Sequence, residues 1–192
     1  MARAIDAGAA PCGGDQAEAL QMLDSIERAL ERDFADGPGR TRERDRSMYL
    51  NFRWLAGRMP PGSKIIVWSA TSHVARDARA TPRYPSGGNF GSYVHGAYGD
   101  RAFALGFSAY SGSHRVPAGA TRELPTASPE SLEAAALASG GSDVVYLGPE
   151  SLAALGAVPG SLFFHDVAAA DWNEVVDGVV VFREERPPEP VR

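Results

Sequence analysis

The chain has 192 residues, 44% of them hydrophobic and 22% charged, which suits one globular domain and is too apolar for a disordered chain. A net charge of −5 runs against nucleic-acid binding, which begins with a positive field over the phosphates. Its uncharged apolar runs, such as Ile65 to Trp68, are far short of the roughly 20 residues that cross a bilayer, so no membrane partner is expected.

Met1 to Gly14 is a stretch of small residues without the continuous apolar core of a secretory signal, and reads as a flexible N-terminus of a cytoplasmic protein. The lone Cys12 within it excludes an internal disulfide and a zinc site built from several cysteines. A helix is then expected from Asp15 to Phe34. Asp15 can cap it with Glu18 three residues on, and Leu20, Leu23, Ile26, Leu30 and Phe34 recur at three- and four-residue spacing. Gly37-Pro38-Gly39 ends it, and a second helix should run from Thr41 to Arg58, before Pro60-Pro61-Gly62.

Lys64 to Trp68 is continuously apolar after the lysine and β-branched, the pattern of a strand covered on both faces. Phe103–Phe107, Asp143–Leu147 and Gly178–Phe182 read as further strands. Helical patterns lie between them at Gly91–Tyr98, at Pro129–Ala138 with Ser128 as N-cap, and at Pro149–Leu155. This alternation predicts a three-layer α/β domain over 15–187, with a mostly parallel sheet and helices on both faces, followed by a flexible tail at 188–192.

Two places carry potential chemistry. On the second helix Met48, Phe52, Leu55 and Met59 form an apolar stripe, and Arg44 and Asn51 project from the same face. A guanidinium and a carboxamide there need partners, because an unpaired buried polar group costs about 1–3 kcal/mol. They either pair with Asp45 and neighbouring loops or take a direct part in chemistry. The second place is Ser69-Ala70-Thr71-Ser72-His73-Val74, at the carboxyl end of the Lys64–Trp68 segment, where α/β sheets carry their sites. An imidazole there titrates near neutrality and is suited to proton transfer; the alternative is a structural histidine bonded to a loop.

His95 and His114 read as surface or loop residues, and His165 as a strand-end residue that could meet His73 across the sheet. No pair of histidines has metal-ligand spacing, so neither a metal nor another cofactor is expected. No GxSxG elbow, P-loop or GxGxxG is present. Gly87-Gly88-Asn89-Phe90-Gly91 lacks a lysine or hydroxyl residue placed to bind phosphate.

The order of these segments resembles the erythromycin esterase-like family, some members of which are named succinoglycan biosynthesis proteins. Arg44-Asp45, Met48, Asn51, Trp54 and Leu55 fit its Arg-Asp-x-x-Met-Ala-x-Asn-x-x-Trp-Leu helix, with Tyr49 in place of the alanine. Lys64–Trp68 followed by His73-Val74 is similar to its strand and Trp-Ala-His-Asn-x-His-Val segment. Tyr98-Gly99-Asp100-Arg101, Ala104–Phe107 with Gly112, Trp172 and Asp177–Val180 are similar to later motifs, so the likeness covers about residues 40–187. It implies hydrolysis of a carboxylic ester, or of the lactone of a macrolide antibiotic, by water that histidines and an acid activate without metal or acyl-enzyme. His73 would be the base or orient the water, with Thr71, Ser72, Arg44 and Asn51 contacting the substrate.

Two departures bear on this. Ala70 and Thr71 stand where the motif has its first histidine and the asparagine. The chain also corresponds to the C-terminal half of the family alone, and nothing in Met1–Gly39 supplies a Gly-Glu-x-x-His pattern. The alternative reading is a non-catalytic ligand-binding or assembly module, or a truncated remnant that keeps the fold. An open sheet edge and an uncovered apolar face would then favour a homo-oligomer or a separate N-terminal half as partner.

Overall fold

The computed structural model describes residues 15–34, 39–81, 88–116, 119–139 and 142–187. The expected flexible ends, 1–14 and 188–192, lie outside them. The chain divides into two compact units, Met1–Val67 and Trp68–Arg192.

The described part of the first unit contains a pair of helices, α1 (Gln16–Asp33) and α2 (Gly39–Arg58). The Asp15 carboxylate accepts from Ala17 N–H at 2.9 Å and so caps α1 as the sequence suggests. The pair is held together largely by polar groups. Asn51 Oδ1 accepts from Gln21 Nε2 (2.8 Å), Ser25 Oγ (3.1 Å) and Arg28 Nη2 (2.8 Å) across the helices. The apolar stripe of α1 meanwhile stays open, with Ile26, Leu30 and Phe34 exposed.

Lys64–Trp68 is not a strand. It has no regular secondary structure and every one of its residues is exposed, Ile66 at 91% and Trp68 at 84%. Its β-branched composition is a propensity for extension; a strand also needs a neighbour to accept its N–H groups, and it has no ladder partner among the described residues.

The second unit begins with two short helical turns, α3 (Thr71–Val74) and a 3₁₀ turn at Ala78–Ala80. Helix α4 (Phe90–Tyr98) follows, and a second 3₁₀ turn at Gly99–Arg101 leads into β1 (Leu105–Arg115). The chain continues through β2 (Thr121–Leu124), α5 (Leu132–Ser139), β3 (Val144–Leu147), α6 (Pro149–Leu155), β4 (Ala157–Phe163), β5 (Asp166–Asp171), α7 (Trp172–Val175) and β6 (Gly178–Glu185). Ser131, and not Ser128, caps α5: its Oγ accepts from Ala134 N–H at 3.1 Å.

The architecture is α/β, a sheet core flanked by helices. The expectation of a mostly parallel sheet is corrected by the register. In the order β2–β1–β6–β3 the β1–β6 pair is parallel, while β1–β2 and β3–β6 are antiparallel. β4 and β5 form a separate antiparallel hairpin. Pairing fixes the faces. Gly106, Val179 and Leu147 form one cross-strand row and Ser108, Val181 and Val145 the next. These point to a core with Leu132, Ala136, Leu152, Leu162, Trp172 and Val175. The opposite rows, Phe107–Val180–Tyr146 and Ala109–Phe182–Val144, make the other face. Phe107, Val144 and Tyr146 are exposed there, and Trp68 lies against Phe107 with ring centroids 5.4 Å apart. Helices flank the sheet as expected, and within the second unit these side chains of its second face are exposed.

Gly112 sits where β1 changes neighbours, paired with Glu185 of β6 and Leu124 of β2 at once. Its φ is +120°, and a Cβ there would run into the Glu185 backbone.

Candidate functional site

The loop 69–75 carries His73, and Arg76 follows it directly. Ala70 N-caps the single turn α3, whose His73 N–H and Val74 N–H both reach Ala70 O (2.9 and 3.2 Å). Ser72 is buried, while Thr71 and His73 are half-buried. The Thr71 methyl lies on the Cα side of Gly106, in β1. Asn89, at the head of α4, fastens this turn: its Nδ2 donates to His73 O (3.1 Å) and Ala75 O (2.7 Å). Gly91 allows the approach, since a Cβ there would overlap the Val74 and Ala75 carbonyls.

Behind the turn lies a charged cluster centred on Asp177, just ahead of β6. Its Oδ1 accepts from Arg76 Nη1 at 2.7 Å, and its Oδ2 accepts from Ala104 N–H at 2.7 Å. His95 Nε2 is 3.5 Å from the same Oδ2, and both side chains are 14% exposed. Arg76 also donates to Asn173 O through its guanidinium, and its N–H donates to Val175 O at 2.7 Å. Burial pushes the His95 imidazole below the usual histidine range; the Asp177 carboxylate partly opposes this and the Arg76 charge adds to it. The arrangement sets an imidazole against a largely buried carboxylate, the kind of pair that proton-transfer chemistry uses.

His95 is therefore not the surface or loop residue expected from the sequence. It belongs to α4 and is largely buried against Asp177. Asp177, Arg76 and Asn89 were not singled out for chemistry either, and no local spacing could have marked them, because Arg76 and Asp177 are 101 residues apart. His114 lies within β1 with its Nδ1 buried, and the ring neighbour of His165 is His114.

In the first unit Arg44 Nε is 3.5 Å from Asp45 Oδ1 and its side chain is 46% exposed, whereas Asp45 is buried. Asn51 gives its oxygen to the three donors described above, and its Nδ2 donates to Ser25 Oγ at 2.8 Å.

Comparison with known proteins bears on these elements as a set. Residues 8–181 match the family model described as erythromycin esterase. Among solved structures, the chain is similar to a succinoglycan biosynthesis protein (14% identity, TM-score 0.73), covering 95% of this chain and 47% of that one. It is similar to a protein from Bacillus cereus (16% identity, TM-score 0.61; 88% and 43% covered). A mutant of the erythromycin esterase EreC in its open conformation also matches (13% identity, TM-score 0.56; 84% and 41% covered). The chain thus spans under half the length of each of these structures. No curated protein matches the chain.

Proposed function

The chain belongs to the erythromycin esterase family, and from that premise we propose that it is an esterase-like hydrolase in which water attacks a carboxylic ester or a macrolide lactone. His73 takes the proton of the attacking water as its oxygen bonds to the acyl carbon. The tetrahedral intermediate then expels the alkoxide, which His73 reprotonates, leaving a carboxylic acid and an alcohol. The hydroxyls of Thr71 and Ser72 contact the substrate beside it. The observation that supports it best is the family match over residues 8–181, which takes in the whole of the 69–75 turn. Neither metal nor organic cofactor is required for this step.

A second reading is favoured by one specific feature: Ala70 stands at the position of the motif's first histidine and can neither move a proton nor hold an oxyanion. On that reading the chain is a ligand-binding or assembly module whose open sheet face is covered by a second copy or by a separate N-terminal half. Incubation with a simple aryl ester and with a macrolide separates the two. Turnover that falls at least a hundredfold in His73→Ala supports the hydrolase. Turnover unchanged by that substitution removes His73 from the reaction. Saturable thermal stabilisation by the macrolide without turnover supports the module.

A further inference from the structure

A second concave site lies away from the 69–75 turn, in a cavity of about 170 Å³ between the 124–131 segment, α5 and the β4–β5 hairpin. Leu124, Pro125 and Val167 give it apolar walls, and Glu133, His165 and the hydroxyls of Thr126, Ser128, Ser131 and Ser161 its polar groups. Glu133 is the chemically unusual member. It sits in the first turn of α5 at 1% exposure, among the largest fully buried side chains of the described residues. Ser108 Oγ (2.6 Å), Ser161 N–H (2.8 Å) and Ser161 Oγ (2.9 Å) all donate to the same carboxylate oxygen, Oε1. Among the described residues no hydrogen bond is made to Oε2.

Burying a carboxylate is costly unless its charge is matched, and three neutral donors on one oxygen satisfy half of the group. Among the residues lining the cavity there is no arginine or lysine to match the rest. His165 belongs to a strained turn: Phe164 and His165 link β4 to β5 with φ of +55° and +59°, a conformation non-glycine residues take at a cost. His165 of that turn and Glu133 line the same cavity. A space of that volume takes a ligand of a few heavy atoms.

We propose that this cavity is a binding site for a small primary ammonium ion with a short apolar tail, its head bonded to Glu133 Oε2 and its tail against Leu124, Pro125 and Val167. The site is independent of the esterase reading, because neither His73 nor its neighbours line it.

The test is an amide NMR titration of the full chain with n-butylammonium chloride, with n-butanol and sodium butyrate as isosteric neutral and anionic probes. Saturable shifts at Ala109, Ser161 and Val167 with the ammonium, at least tenfold weaker with either control, are expected. Glu133→Gln keeps an oxygen for the three donors and should weaken ammonium binding at least tenfold. If that variant does not fold, Val167→Phe narrows the mouth from an exposed position and should weaken it likewise. His73→Ala should bind as the parent does. Absence of saturable shifts, equal binding of butanol, or undiminished ammonium binding in a folded Glu133→Gln or in Val167→Phe overturns the proposal.

Discussion

The imidazole of His165 lies over that of His114, with ring centroids 4.4 Å apart and 31° between the planes. Glu185 Oε2 is 3.9 Å from His165 Nε2 on the other side. Burial lowers the His165 value below 6.5, the Glu185 carboxylate pulls it back, and the neighbouring His114 lowers it further. His95 is lowered in the same direction, also chiefly by burial.

These shifts fix a sign. A histidine held below its unfolded value carries fewer protons folded than unfolded, so unfolding takes up protons and stability rises with pH across that interval. Stability from both sites is complete above 6.5 and is lost as the pH falls from there towards the depressed folded values. The thermal midpoint should therefore drop between pH 7.5 and 5.5. His165→Gln should flatten the drop, and an equally steep drop in that variant would exclude His165 as a source.

The close passage of α4 over α3 predicts opposite outcomes at two glycines of one helix. Gly91→Ala places a methyl on the Val74 and Ala75 carbonyls and should destabilise by about 1–3 kcal/mol. Gly96→Ala meets nothing within 4 Å and should stabilise by about 0.5–1 kcal/mol through helix propensity alone. Urea unfolding of the two variants checks both signs.

Asp177 ties Arg76, Ala104 and His95 to one carboxylate. Asp177→Asn keeps the shape and removes the charge, and should cost about 1.5–3 kcal/mol, the range for a hydrogen bond to a charged group. It also removes the pull that partly restores the His95 value, so the pH dependence of stability should steepen. A variant as stable as the parent at pH 7 would show that the cluster is not holding the turn.

The open sheet face predicts association. Trp68→Ser and Phe107→Ser should each reduce hydrophobic-dye binding and concentration-dependent sedimentation. Trp68→Ser should change stability by no more than about 0.5 kcal/mol, because that side chain is already solvated. A parent chain that sediments as a monomer at all concentrations and binds no dye would contradict the need for a partner.

The helices were legible from sequence because their signals are local. Asp15 and the stripe from Leu20 to Phe34 set α1 to within a residue of its ends, and Pro149 marked the start of α6. The Lys64–Trp68 segment misled because apolarity reports a wish to be buried and not the presence of a neighbour. The β4–β5 hairpin was missed for a different reason. Its two-residue turn is Phe164-His165, without the asparagine or glycine that normally announces positive φ, and its strands are rich in alanine and glycine. Of the candidate site, His73 and its flanking hydroxyls stand on the family-like motif alone, since the strand whose carboxyl end they were expected to occupy does not form. The Asp177 cluster could not be read from sequence, since folding alone brings Arg76, His95 and Asp177 together.

Gly112 has a consequence for how the chain can vary. Two ladders of opposite polarity are spliced at a residue whose side chain is a single hydrogen. Even alanine would wedge β1 off Glu185 and, through the same backbone, disturb the β2 ribbon. The four-stranded sheet therefore has one position at its seam with no room for a side chain, and selection for this architecture would register there before it registered in the core.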